Sequence, residues 1–165
     1  MASGSHGKRF EKDFLASLRS WGRWAERFRD NTWNPKGGKI QGSTESPPDL
    51  ISVNDDGHAI LMELKAVKGI SIPLNRLSDH QRTRLQHFPG SAFVVVMFYL
   101  GDRAQKRSAV MIPISVWAGA QRRYGRLSLA LADLKRDLPE ACHLTWVGRK
   151  ANIGPWLPAD QQEEE

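Results

Sequence analysis

Asp49, Glu63 and Lys65 are the residues of this chain whose types and spacing suit chemistry. Pro48-Asp49 precedes Glu63-Leu64-Lys65, and between them Asp55-Asp56-Gly57 signals a hairpin. If those three residues form the loop, a type I turn closed by Gly57 in the left-handed region, then Asn54 faces His58. Counting outward puts Asp49 opposite Glu63. Side chains alternate along a strand, so Lys65 shares the face of Glu63. Two carboxylates would then stand across a strand pair, about 5 Å apart at Cβ, and they destabilise a sheet unless a cation lies between them. A hard divalent cation suits such oxygen ligands, Mg²⁺ first and Mn²⁺ as a substitute. Lys65 adds a fixed positive charge beside it. That combination is suited to cutting phosphodiesters.

Two other readings stand beside this one. A two-residue Asp56-Gly57 loop would pair Asp49 with Leu64 and send the carboxylates to opposite faces. The plainer alternative is an acidic turn on a surface hairpin with an exposed Glu-Lys pair. The flanking Leu50-Ile51-Ser52-Val53 and Ala59-Ile60-Leu61-Met62 are strongly apolar, which buries the hairpin on at least one face. Acids in buried surroundings are rare without a role.

The elements that must hold these residues follow from periodicity. Phe10, Phe14, Leu18 and Trp21 recur at helical spacing, so residues 8–20 read as an amphipathic helix that Gly22 ends. Glu11 lies beside that stripe and either points inward or is an ordinary first-turn acid, favourable to the helix dipole. Residues 24–29 suit a short strand. Residues 30–47 are broken by Asn34-Pro35, Gly37-Gly38 and Gly42. Within them Lys36 and Lys39 bracket the glycine pair, either on an arm that contacts DNA (residues 34–42) or on a slack loop.

Residues 50–54 and 58–66 form the hairpin. After a short connector, Ser78-Asp79-His80-Gln81 reads as a capping box that opens a helix through Phe88. Residues 93–100 are uniformly apolar, which fits a central strand buried on both faces. Residues 109–114 form the next strand, with Pro113 marking its end. Ser115 is expected to cap a helix containing Trp117, and Ser128 another carrying Leu131, Leu134 and Leu138. Residues 143–147 suit a last strand, and the chain reads as loop from Gly148. The order predicts an α/β fold with a central mixed β-sheet flanked by helices.

The 165 residues suit one domain, expected over 8–157, with a flexible 1–7 before it and an acidic, disordered 158–165 after it. One cysteine, Cys142, excludes an intrachain disulfide and a cysteine-rich zinc site, and fits a reducing cytoplasm. The longest apolar run, 93–100, is of strand length, so no membrane span is expected. Lys plus Arg number 24 against 18 Asp plus Glu, a net +6, and without Glu163, Glu164 and Glu165 the body is nearer +9. The excess is largely arginine, in clusters at Arg103/Lys106/Arg107, Arg122/Arg123/Arg126, Lys135/Arg136 and Arg149/Lys150, which suit phosphate contacts. A basic body with a small acidic pocket points to nucleic acid. The five histidines lack zinc spacing. There is no phosphate-binding glycine loop and no nucleophile elbow, and Cys142 reads as a core residue. Phe88, Trp117 and Trp156 are open between the core and a subunit interface.

The ordered set of Glu11 in the first helix, Ser46-Pro47-Pro48-Asp49-Leu50-Ile51, Glu63-Leu64-Lys65-Ala66 and Leu77-Ser78-Asp79-His80-Gln81 resembles the PD-(D/E)xK nuclease superfamily. Within it, the set looks like the Holliday junction resolvases. The His-Gln step before a helix is similar to the RecU type and the Pro-Asp spelling to the archaeal type. The likeness covers about residues 7–114. It implies a restriction-endonuclease-like core and a homodimer with two sites, each nicking one of two opposed strands of a four-way DNA junction in recombination and repair. It further implies Asp49 and Glu63 as metal ligands for Mg²⁺, Glu11 as an additional acid, and Lys65 orienting water or stabilising the transferring phosphate. Gln81 would line the site, in competition with its capping role. Ser43, Thr44 and Ser46 would touch phosphate, and Arg82 and Arg84 would contact DNA with Lys36 and Lys39. The RecU type has a longer arm before its first site aspartate, so residues 34–42 would be a shortened version.

Overall fold

A computed structural model of the chain describes residues 3–28, 47–54, 56–100 and 106–152. The expected arm at 34–42, the acidic segment at 158–165 and Trp156 lie outside these residues.

Helix α1 (Ser3–Ser20) forms on the predicted stripe and starts earlier than periodicity suggested. Phe10, Phe14 and Leu18, each four residues apart, are all buried. Gly22, at φ 76°, turns the chain out of the helix. Seven strands then build one sheet in the order β1 (Trp24–Arg27), β2 (Leu50–Val53), β3 (Ala59–Lys68), β5 (Ser91–Leu100), β6 (Lys106–Pro113), β8 (His143–Val147) and β9 (Lys150–Asn152). Only β3 and β5 run parallel; every other neighbouring pair is antiparallel. A parallel pair needs a crossover. Here it is made by β4 (Ser71–Pro73), a short 3₁₀ turn at Leu74–Arg76 and helix α2 (Asp79–Gln86).

The alternation of side chains divides the core into two layers. Leu50, Met62, Leu64, Val95 and Met97 face α1 and pack on Phe10, Phe14 and Leu18. Leu61, Val94, Val96 and Phe98 face the other way. They meet Leu85 of α2, Trp117 of α3 (Ile114–Tyr124) and Leu134 of α4 (Leu131–Asp137). Strand β5 is thus covered on both faces, as its unbroken apolar run requires. The α/β class with a central mixed sheet flanked by helices is observed, and Trp117 belongs to the core.

Helix α1 also reaches both edges of the sheet. Arg19 donates through Nε and Nη2 to Ala25 O on β1 (3.1 and 2.9 Å). Ser17 Oγ accepts from Ala151 N on β9 at 2.9 Å, and Trp21 Nε1 donates to Ala151 O at 3.3 Å. The sheet is therefore curled around one helix.

Four local expectations are corrected. Ser115 lies inside α3, whose N-cap is Pro113, extended at φ −53° and ψ 139°; the proline ring presets the entry and no side chain caps it. Ser128 starts a strand, β7 (Ser128–Ala130), because Ile72 and Leu129 pair and are both fully buried. Residues after Gly148 continue as β9, paired to β8 and tied to α1. Helix α2 stops at Gln86, two residues short of Phe88.

Candidate functional site

The hairpin has the three-residue loop. Its register pairs Leu50 with Met62 and Val53 with Ala59, which extends to Asn54 opposite His58 and Asp49 opposite Glu63. Asn54 N donates to His58 O (3.0 Å), and Gly57, at φ 78°, donates to Asn54 O (3.0 Å). The asparagine secures the turn: Oδ1 accepts from Asp56 N (3.1 Å) and His58 N (2.7 Å). The two-residue alternative is excluded by this register. Asp49 reaches across the pair, its Oδ2 accepting from Leu64 N at 2.7 Å, while Phe28 N donates to Asp49 O at 3.0 Å. The carboxylate is thus held by the strand it faces.

Glu63 is 2 % exposed, in the middle of β3. Its Oε1 accepts from Lys65 Nζ at 2.7 Å and from Gln81 Nε2 at 2.6 Å. Its Oε2 is buried with no hydrogen-bond partner. Burial, and then the Asp49 charge, push the Glu63 carboxyl up from its usual 4.5 to about 7; Lys65 pulls the other way without cancelling them. The Asp49 amide also opposes the rise, though it makes no hydrogen bond of normal geometry to Oε2. A buried acid with an empty lone pair, raised by a facing carboxylate, is short of positive charge.

Gln81 completes the capping box of α2 and also reaches Glu63 and Lys65. Ser78 Oγ accepts from Gln81 N (3.2 Å), and Gln81 Oε1 accepts from Ser78 N (3.2 Å), so the capping box is complete. The same Oε1 accepts from Lys65 Nζ at 3.3 Å, and Nε2 is spent on Glu63. The first turn of α2 is thereby docked on the acidic face of β3.

Glu11 stands on a different element from this group. Glu63 and Lys65 lie on the α2 side of the sheet, whereas Glu11 comes from α1 on the other side. Its Oε2 is 2.7 Å from Arg27 Nη2. No set of three His, Cys, Asp or Glu suited to a metal ion occurs among the described residues. Asp49 and Glu63 are the pair able to share one.

Several arginines expected to meet phosphate already have carboxylate partners. Arg126 and Arg136 (3.2 Å) pair with Asp133, and Arg123 (3.5 Å) and Arg136 (2.7 Å) with Asp137. Hydrogen bonds from Arg136, then Tyr124, bring the Asp137 carboxyl down to about 2. Arg149 binds the buried Asp13 at 2.7 Å and so fixes the β8–β9 turn to α1. Arg82 is exposed on α2 beside Asp79 (2.8 Å). Lys36, Lys39, Ser43, Thr44 and Ser46 lie outside the described residues.

Sequence reasoning missed Arg27, the partner of Glu11, and a groove of about 830 Å³ beside the site. Phe28, Pro47, Pro48, Ile51 and Leu61 line it opposite His80, Thr83 and Arg84 of α2, with His87, Phe88 and Pro89 following. Pro48 and His80, each next to a site residue, were the available signal.

No model of a known protein family matches the chain, and no curated protein does. Among solved structures it is similar to a Holliday junction resolvase from the archaeal hyperthermophile Archaeoglobus fulgidus. That match has 21% identity and a TM-score of 0.47, and covers 67% of this chain and 78% of the other. No described helix is long and apolar enough to cross a membrane.

Proposed function

We propose that this protein is a metal-dependent endonuclease that resolves four-way DNA junctions. The observation that carries the chemistry is the pairing of Asp49 with Glu63 across β2 and β3, with Lys65 on the face of Glu63. Two facing carboxylates, one with an orphaned oxygen and a raised pKa, fit a divalent cation, Mg²⁺ with Mn²⁺ as a substitute. Mg²⁺ commonly takes one or two carboxylates and completes its shell with water and phosphate oxygens, so a third protein acid is not needed. A cation there supplies charge neutralisation at the phosphate and a more acidic attacking water.

The chain's own residues do the rest. Asp49 and Glu63 hold the cation. Lys65, released from Glu63 Oε1, turns its ammonium toward the attacking water or the transferring phosphate. Gln81 keeps Glu63 in a single orientation. Junction selectivity is supported by the ordered motifs from Glu11 to Gln81, which resemble the resolvases. In this reading a homodimer sets two sites against opposed strands, and the net charge of +6 favours DNA.

The test is cleavage of a labelled immobile junction beside a linear duplex of the same sequence, with Mg²⁺, Mn²⁺ or EDTA. Paired symmetric nicks in the junction alone, abolished by EDTA, support a resolvase. Equal cutting of both makes it a general nuclease. Tight junction binding with no cutting in either metal makes it a non-catalytic junction-binding protein.

A further inference from the structure

We propose that the groove between α2 and the β1–β3 end of the sheet receives an unstacked nucleobase of the DNA strand whose phosphate lies at Asp49 and Glu63. The proposal rests on the nuclease reading and adds a base-binding subsite to it.

Position comes first. Ile51 and Leu61 form the groove floor; Leu61 stands two residues from Glu63 on the same face of β3, and Ile51 two residues from Asp49, which immediately precedes β2. Two residues of strand span about 7 Å. On α2, His80 adjoins Gln81, and Arg84 follows it by one helical turn. The groove therefore continues directly from the carboxylates along both of its walls.

Its chemistry suits a base. The floor and one wall are apolar, from Ile51, Leu61, Phe28 and Pro48, and offer flat surfaces for stacking. The other wall carries His80, Arg84 and His87, and none of the described residues lining the groove is acidic. An imidazole or guanidinium stacks on a base and hydrogen-bonds its edge. The volume, about 830 Å³, falls in the range of small-molecule sites and has room for a base with its sugar.

The test is ultraviolet crosslinking in EDTA, where cutting is stopped. A four-way junction carries 5-iodouracil at the nucleotides flanking the expected nick. The expected result is a crosslink that maps to Phe28, His80 or His87. Thr83→Trp, a change at an exposed position that fills the groove, should abolish that crosslink and weaken junction affinity by about tenfold. Far-ultraviolet circular dichroism of the variant checks that it folds, and His87→Ala gives a second, milder arm.

If the junction binds but the crosslink maps elsewhere, or survives Thr83→Trp, the groove proposal falls and the nuclease reading stands. That result also covers the rival occupant, residues 29–46, which leave from Phe28 and return at Pro47. If neither junction nor duplex binds at all, the nuclease reading falls and takes the groove proposal with it.

Discussion

Gln81 donates from Nε2 to Glu63 Oε1 at 2.6 Å, while its Oε1 accepts from Ser78 N and its backbone N donates to Ser78 Oγ in the capping box of α2. One side chain thus sets both the start of a helix and the orientation of a buried acid. Ser78→Ala removes the N-cap and should cost about 1 kcal/mol of stability. It should also lower cutting, because the first turn of α2, which carries Gln81 to Glu63, loses the hydroxyl that holds the Gln81 backbone. Thermal melts and single-turnover cleavage of the same variant would show whether the two effects move together. A melting shift without loss of rate would separate the cap from the site.

Asp49→Asn keeps an oxygen for the Leu64 amide and removes a charge. Cutting should fall by about a hundredfold or more while junction binding persists. Glu63→Gln should behave likewise. Gel-shift and cleavage assays on the purified variants decide it, and cutting that survives either change would remove that residue from the metal site.

The raised carboxyl of Glu63 gives a stability prediction with a definite sign. Its folded pKa, about 7, lies above its ordinary 4.5, so the folded state holds the extra proton between those values. Unfolding free energy must therefore fall as pH rises from 4.5 through about 7 and then level off, by up to about 3 kcal/mol. Glu63→Gln should flatten that slope and leave the variant more stable than the wild type above pH 8. Urea melts across pH 5 to about 9 would reveal the crossing.

The same proton opposes a cation. Without metal in excess, Mn²⁺ affinity should rise with pH through about 7 as Glu63 ionises, and the dependence should vanish in Glu63→Gln. Calorimetric titration of the metal in the absence of DNA would report this independently of cutting. A flat profile in the wild type would mean that Glu63 is no ligand.

Gly90 sits where α2 turns into β5. A Cβ built there would lie 2.3 Å from Ala59 O, a backbone atom that cannot move alone. Gly90→Ala should destabilise the protein by about 1–3 kcal/mol through displaced backbone. A wild-type melting curve for this variant would contradict the close approach.

How much of this was legible in the sequence depended on whether the cause was local. The stretch from Asn54 to Gly57 narrowed the hairpin to two registers, a three-residue and a two-residue loop, and the observed pairing selects the first. The Ser78-Gln81 box and the buried run of β5 were equally local. What escaped was long-range. Ser128 looked like a cap, and it pairs with Pro73, some 55 positions away. Ala151 looked like loop, and it is held by Ser17 across 134 positions. The arginine clusters looked available to phosphate, and the structure places Asp133, Asp137 and Asp13 beside several of them. Spacing put Glu11 beside the apolar stripe of α1, but it could not show its partner Arg27, sixteen positions on in β1.

The grip of α1 on both Ala25 and Ala151 makes the two outermost strands share one fate. An open sheet ordinarily frays from either margin independently. Here loosening the helix would uncover the margin at β1 and the margin at β9 in a single event, exposing two unsatisfied backbone ladders together. Amide exchange should accordingly find β1 and β9 protected to the same degree, as one cooperative unit joined through helix α1.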